Sequence, residues 1–488
     1  MRVRWMGLLG ILVFVVSGIA YSGELSLTEA IDIAINQNPK VEAAQKDVSI
    51  LETKFKEVRS NERPKLDFTL SVIHLENPPT LDYDLGDKLK PALLGIMNAI
   101  PDYMQYPVPG SPGTYMTIQN PYKQPTISAL SASDYSLNME LAEEYTRKYT
   151  LDLQWPIWTG GRVKHGLSKL RKGVEALASK AESTRREITY EVISAYLGTV
   201  LAQRAAKVND EAYNTIEWHV RQAESLFKQG LIPKYDLMRA KTELANQDKK
   251  RIDAHNQADL TMAYLLDLLS MPKEEFPVLI TDLAGDKKFD MELEEAFEVA
   301  ISESSDMNAL LARERMYKAG VEVAKAELRP IVAAVAKHEL RDEDLSLLDP
   351  DQYVGLIVKF PIFDGGKSRS RISQERAKLD RNKSDIKRLE NGLQLMVRKY
   401  YLDYLSAQKA IAAADKAIEL ASESKRLAER RYEVGEGTSI EVTDALLQYS
   451  IAETSMSQAK YQHDMAYYGL KMAMGQIIQE FEEEGGNI

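Results

Sequence analysis

Trp155-Pro156-Ile157-Trp158-Thr159-Gly160-Gly161-Arg162 returns 205 positions later as Phe360-Pro361-Ile362-Phe363-Asp364-Gly365-Gly366-Lys367. The same offset carries Gly230 to Gly435, Asp236 to Glu441, Ala240 to Ala445 and Leu265 to Leu470 without a gap. Upstream, Leu27-Thr28-Glu29-Ala30 matches Leu293-Glu294-Glu295-Ala296 and Arg63-Pro64 matches Arg329-Pro330, now at an offset of 266. Self-similarity on this scale requires a fold made from two copies of one unit. The difference between the offsets, 61 residues, is extra sequence in the first copy between Pro64 and Trp155. It falls at about Asn77 to Glu140, a Pro- and Tyr-rich stretch such as Tyr103-Met104-Gln105-Tyr106-Pro107-Val108-Pro109-Gly110, which is loop chemistry. Lys88 to Ile100 reads as one short amphipathic helix inside it. A long insertion tolerated at a single point marks the tip of a hairpin facing solvent.

Each copy carries a pair of alternating segments. Leu66, Phe68, Leu70 and Val72 stand opposite Asp67, Thr69 and Ser71, and beyond the insertion Tyr149, Leu151, Leu153 and Trp155 stand opposite Thr150, Asp152 and Gln154. In the second copy Val354, Leu356, Val358 and Phe360 alternate with Tyr353, Gly355, Ile357 and Lys359, and a Val/Ala-rich strand is expected at Ile331 to His338. Period two with one apolar side predicts four strands, each with one apolar face. Strands of roughly ten residues can cross a bilayer at a tilt. Four cannot close a barrel, because open edges in hydrocarbon leave backbone groups unsatisfied and transmembrane barrels begin at about eight strands. Several chains must pool their strands. Trp155, Trp158, Phe360 and Phe363 cluster where each outgoing strand ends, as an aromatic girdle at the membrane boundary would. The alternative is a soluble hairpin packed on helices.

From Arg162 to about Gln229 and from Lys367 to about Val434 there is no proline. At about 1.5 Å per residue each helix would run on the order of 100 Å. Leu379, Ile386, Leu393, Tyr400, Ala407, Ala414 and Ala421 recur every seventh residue, with Val174, Ile188, Ala195, Ala202 and Ile216 at the matching first-copy positions. This is coiled-coil periodicity, alanine-rich toward the far end. A second helix returns from each turn, over about Pro233 to Leu269 and Thr438 to Met474.

The start, Met1-Arg2-Val3-Arg4, an apolar run from Met6 to Val16 and small residues around Gly18 to Gly23, has the order of a secretory signal peptide. No later segment approaches the roughly 20 apolar residues of a membrane-spanning helix. The chain has no cysteine, so neither a disulfide framework nor a thioether-linked lipid is open to it. A net charge of −11 argues against a nucleic-acid partner. The Gly-Gly pairs at 160–161 and 365–366 lack the spacing of a phosphate-binding loop. Lys337-His338-Glu339-Leu340 lacks the second histidine of a zinc protease motif, and the six histidines form no ligand cluster. No enzyme, metal or cofactor site is expected.

The Leu-x-x-Ala-x-x-x-Ala opening helix, the Arg-Pro entry into each hairpin, the aromatic-Pro-Ile-aromatic-x-Gly-Gly exit and the Gly-containing helical turns together resemble the TolC family of outer-membrane efflux proteins. The resemblance covers nearly the whole mature chain. It implies a mainly α fold with a small β part: a homotrimer whose 12-strand transmembrane barrel, four strands per chain, sits in outer-membrane lipid and continues as a periplasmic α-helical barrel. It also implies a periplasmic adaptor protein and an inner-membrane transporter as partners, in a tripartite efflux or type I secretion system. On that reading residues 1–22 are the signal peptide and 23–285 the first repeat, with the long extracellular loop at 77–140 and its helical tip near 230. Residues 286–476 are the second repeat, with strands at about 330–361 and a tip near 436, and 477–488 an acidic tail. A periplasmic coiled-coil adaptor would need lipoyl-like and barrel modules that are not present, and a secreted scaffold would have no use for lipid-facing strands.

The second tip, Tyr432 to Ala445, holds Glu441 and Asp444 three apart on one helical face. Thr438-x-x-Glu441 forms a capping box that accounts for Glu441 but not for Asp444. The resemblance implies that both acids line a narrow periplasmic mouth, with Tyr432 bonding to Asp236 of the neighbouring turn. Gly437 stands where the family has an arginine, so the closing network must differ in part. Gly230, Leu231, Pro233 and Leu237 of the first tip, and Gly435, Gly437 and Thr438 of the second, resemble adaptor-docking tips. Pro233 at a first helical position is equally explained by helix initiation alone.

Overall fold

The computed structural model describes residues 23–77, 80–84, 90–107, 115–121, 123, 125–126, 136–140, 144–272, 276–341, 351–434 and 436–483. The expected signal peptide and Gly435 lie outside the described residues. In chain order the elements are β1 (Glu24–Leu25), α1 (Leu27–Gln37), α2 (Pro39–Ser60), β2 (Lys65–His74), β3 (Thr80–Asp84), α3 (Lys90–Ala99), β4 (Tyr103–Pro107), β5 (Tyr115–Gln119), β6 (Ser136–Glu140) and β7 (Tyr145–Trp158). Then come α4 (Arg162–Lys228), α5 (Lys234–Leu268), β8 (Val278–Leu279), α6 (Leu293–Glu303), α7 (Ser305–Ala326), β9 (Ile331–Arg341), β10 (Gln352–Lys359), α8 (Lys367–Glu433), α9 (Ser439–Ala473) and α10 (Ile477–Glu483). The repeat is visible in the lengths: α4 and α8 each have 67 residues, and α5 and α9 each have 35. No described helix is long and apolar enough to cross a membrane. The chain divides into two compact units.

One unit, residues 47–177 and 310–386, holds a four-stranded antiparallel sheet in the order β10-β9-β7-β2. The register sets Leu66 opposite Leu153, Leu153 opposite Ala336 and Ala336 opposite Val354, so one face is apolar across all four strands. Asp67 pairs with Asp152, Asp152 with Lys337 and Lys337 with Tyr353 on the other face. The apolar face is open: Phe68 is 67% exposed, Val354 84% and Leu356 69%. Each outer strand, β2 and β10, has a described partner on one side only. β9 runs three residues past the expected end at His338, and β7 continues through Pro156 to Trp158. The ladder shifts register between Pro156 and Trp158, because proline has no N–H to donate.

The insertion contains more than loop. Its helix α3 lies within the expected Lys88 to Ile100. Two short antiparallel strand pairs, β3 with β6 and β4 with β5, are not anticipated by the sequence, since five-residue strands are too short to show sustained alternation. Lys123 is almost fully buried and ties the segment together, donating to the Asn98 carbonyl at 3.0 Å and the Asp102 carboxylate at 2.9 Å.

The other unit, residues 1–46, 178–309 and 387–488, carries the main apolar core. Ile188, Ala195, Ala202 and Ile216 of α4 and Leu393, Ala407 and Ala414 of α8 are buried, following the heptad. At Asn209, which takes the place of a heptad alanine, the buried Gln247 of α5 donates to the Asn209 side chain at 2.9 Å. A polar pair of this kind in an apolar seam fixes register. The link between the repeats is strapped to this core. The buried Asp464 carboxylate accepts from the Ala284 and Gly285 amides at 3.0 and 2.9 Å, and the Tyr404 hydroxyl accepts from the Phe289 amide at 3.0 Å while donating to the Lys287 carbonyl. One expectation is corrected here. The segment from 477 is not merely an acidic tail, because Ile477, Ile478 and Phe481 of α10 are buried in the main core with Phe481 stacked on Tyr468. The acids mask an i, i+1, i+4 apolar stripe that is enough to dock one short helix.

Candidate functional site

The two helical tips lie in the core-bearing unit, and a cleft of about 550 Å³ opens between them, lined among others by Leu231, Asp236, Arg239, Tyr432, Gly437, Thr438 and Asp444. The α4 end is a Schellman turn: the Leu231 amide donates to the Leu226 carbonyl and the Gly230 amide to the Phe227 carbonyl. Gly230 has φ +73, the left-handed conformation such a turn demands. Leu231 projects with 65% exposure, whereas Leu237 is buried. Pro233 is the N-cap of α5, one residue earlier than expected, with its carbonyl taking the Asp236 amide. Its fixed φ initiates the helix from outside.

Three features shape the second tip. First, the capping box is only half made. The Thr438 hydroxyl accepts from the Glu441 amide at 3.3 Å, while the Glu441 carboxylate turns to Arg431 at 3.4 Å. Arg431 also donates to the Glu436 carbonyl at 3.3 Å. Second, Tyr432 and Asp236 share the cleft, but burial is the only influence on the Tyr432 phenol and no hydrogen bond to Asp236 acts on it. The Tyr432 ring instead packs edge-on against His219, with centroids 5.6 Å apart. Burial raises the phenol pKa. Third, Gly437 accounts physically for the missing arginine. A Cβ there would come within 3.0 Å of the Tyr432 nitrogen and 3.1 Å of the Arg431 Cβ, so a side chain would fit only if the helix end gave way by a few tenths of an ångström. Glu441 and Asp444 are both exposed on α9.

Arg431, Arg239 and His219 belong to this tip and were not singled out from the sequence. Arg431 is signalled only by adjacency to Tyr432. His219 falls among Ile216, Val220 and Ala223 on an apolar helical face, which reads as core. It is 2% exposed, and neither ring nitrogen has a hydrogen-bond partner. Burial and then the nearby Lys425 lower its pKa from 6.5. The folded tip therefore disfavours the imidazolium, and the stability this contributes is present above pH 6.5 and lost as pH falls through the lowered folded value. Acidification is expected to speed amide hydrogen exchange around residues 214–222 and 430–434, and His219→Phe is expected to flatten that dependence. Exchange equally pH-dependent after correction in both proteins would remove His219 from the tip's stability.

At the sheet, Trp155 lies on the apolar face in register with Ala334 and is 48% exposed. Trp158 follows the bulge, and Phe360 and Phe363 follow β10, all exposed, Phe363 at 89%. All four belong to the same unit, beside the open apolar face.

The family model described as "Outer membrane efflux protein" matches residues 124–270 and 297–476, one stretch in each repeat. The alkaline protease secretion protein AprF of Pseudomonas aeruginosa is 23% identical over 353 residues, covering 69% of this chain and 70% of AprF. Among solved structures, the CmeC outer membrane channel of Campylobacter jejuni superposes with a TM-score of 0.69 at 15% identity, covering 95% of this chain and 89% of CmeC. The open-state MtrE outer membrane channel of Neisseria gonorrhoeae gives 0.64 at 16% identity, covering 92% and 89%. These likenesses establish the fold, and the family match over both repeats establishes the rest: the chain belongs to the outer membrane efflux protein family, a family of TolC-like channels rather than enzymes.

Proposed function

We propose that three copies of this chain close edge to edge into a 12-strand barrel, forming the exit duct of a tripartite efflux or type I secretion system with a gated periplasmic mouth. The carrying observation is the sheet: an apolar face open across four strands, with β2 and β10 each lacking a described neighbour on one side. In lipid both features demand partners of the same kind, because each unpaired backbone group costs several kcal/mol there. Trp155, Trp158, Phe360 and Phe363 are assigned to the membrane interface. Glu441 and Asp444 line the mouth, with Tyr432 and Asp236 in the cleft beside it. The tips at Gly230, Leu231, Pro233, Leu237, Gly435, Gly437 and Thr438 receive a periplasmic adaptor, which links the duct to an inner-membrane transporter. The exposed Leu231 is the apolar anchor on that surface.

Extraction of outer membranes in mild detergent followed by native mass measurement is expected to give a trimer. A stable, soluble monomer without detergent would end the proposal.

A further inference from the structure

The sheet has two faces, and the insertion touches the unexpected one. Met116 of β5 packs against the pair Val335 and Ile357, each 8% exposed, and Tyr353 packs against the same pair. A Cβ placed on Gly355 would lie 3.6 Å from the Met116 Cε. Gly355 pairs directly with Val335, and Tyr353 and Ile357 are two residues to either side of Gly355, so all four point to one side of the sheet. Val354, Leu356 and Val358 alternate with them and are 84%, 69% and 62% exposed on the other side. The strand thus has its open apolar face turned one way and the insertion seated on the other. The side chains on the insertion's face include Asp67, Thr69, Asp152, Lys148, Lys337 and Glu339, a polar set unsuited to lipid. Glu339 is only 1% exposed, held by Lys337 at 2.7 Å and Lys148 at 2.8 Å.

We propose that the paired strands β4 and β5 lie within the bore of the duct, where they act as a built-in constriction that sets the largest solute able to pass the outer end. The inference rests on the duct reading above: if the apolar face meets lipid, the face that carries Met116 is the lumen wall. Three copies of the β4–β5 strand pair then enter one bore. The contact is apolar and small, a thioether against Val335 and Ile357 with room provided by Gly355. The wall is otherwise polar there, which leaves this apolar patch as a seat for the strand pair.

The absence of native cysteine makes the test direct. Val335→Cys is placed in the full-length chain and in the same chain carrying Met116→Asp or lacking residues 103–119. Intact cells are treated with a small impermeant maleimide and, separately, with a maleimide on a bulky polymer. With the strand pair seated, Cys at 335 is expected to resist both reagents. Met116→Asp sets a carboxylate against Val335 and Ile357, and protection against the small reagent is expected to be lost. Removal of the strand pair is expected to admit the bulky reagent as well. Trimers are checked by native mass in every variant. Fast labelling of Val335→Cys by both reagents in the otherwise unaltered chain, with trimers intact, would overturn the constriction and leave the duct standing. Should the deletion fail to assemble, the Met116→Asp chain decides alone, since it keeps the whole loop. Absence of trimers in the otherwise unaltered chain would instead refute the duct reading.

Discussion

Leu356→Arg is expected to abolish recovery of the assembled duct from outer membranes, whereas Thr69→Arg is expected to leave it largely intact. Leu356 lies mid-strand in β10 on the open apolar face, 69% exposed in the single chain. An arginine near the middle of a lipid-facing strand costs about 2–4 kcal/mol, and a trimer bears that cost three times. Thr69 belongs to the polar face, in register with Thr150, where an arginine finds water or carboxylates. The pair of variants tests which side faces lipid rather than whether a charge is tolerated anywhere. Membrane fractionation with native mass measurement reads the outcome, and equal losses in both variants would mean that the assignment of faces is wrong.

The second large effect concerns charge at the mouth. Among Glu441, Asp444 and Arg431, each protomer carries one net negative charge, because Arg431 is paired with Glu441 at 3.4 Å. Asp444→Ala is therefore expected to remove most cation selectivity in planar-bilayer recordings. Glu441→Ala with Asp444→Ala leaves Arg431 uncompensated, and selectivity is expected to tip toward anions, with block by multivalent cations lost. The pair is well exposed, so these shifts should be clearest at low ionic strength and shrink as the Debye length falls to about 10 Å near 0.1 M salt. Helix stability should change little. Thr438 still caps α9, and the loss of Glu441, the acid in its first turn, costs about 0.3–1 kcal/mol. If the acids serve only the helix start, the double variant melts earlier while selectivity and block stay as they were, and the mouth assignment fails.

Much of the fold could be read from spacing because the physics that sets it is periodic. Alternation over Leu66 to Val72 and Val354 to Phe360, and heptads over α4 and α8, depend on which face of one element is apolar, and sequence records that directly. The Gly230 turn was legible for the same reason, since a left-handed residue at a helix end selects glycine. What escaped was set by contacts between distant segments. Nothing near Met116 announces Val335, and nothing near Asp464 announces the amides of Ala284 and Gly285. The tip shows the same boundary. Glu441 and Asp444 are recoverable from their spacing, but the pairing of Arg431 with Glu441 and the burial of His219 under Tyr432 depend on how the turn folds over the helix end. α10 was hidden by its glutamates, although its buried positions recur at helical spacing.

The two borders of the sheet, each without a neighbour among the described residues, also bear on inheritance. In a ring closed edge to edge, every chain lends β2 to one neighbour and β10 to the other, so the two borders of a chain serve different partners. A chain whose β10 border is spoiled, for example by a proline that removes a ladder donor, still offers a sound β2 border. It can join a growing ring and prevent its closure. With equal amounts of sound and spoiled chains, random assortment leaves only about one ring in eight composed wholly of sound ones. Lesions at a strand border should thus behave as dominant alleles, whereas a lesion that keeps the whole chain from folding should be recessive, because such a chain never enters the ring.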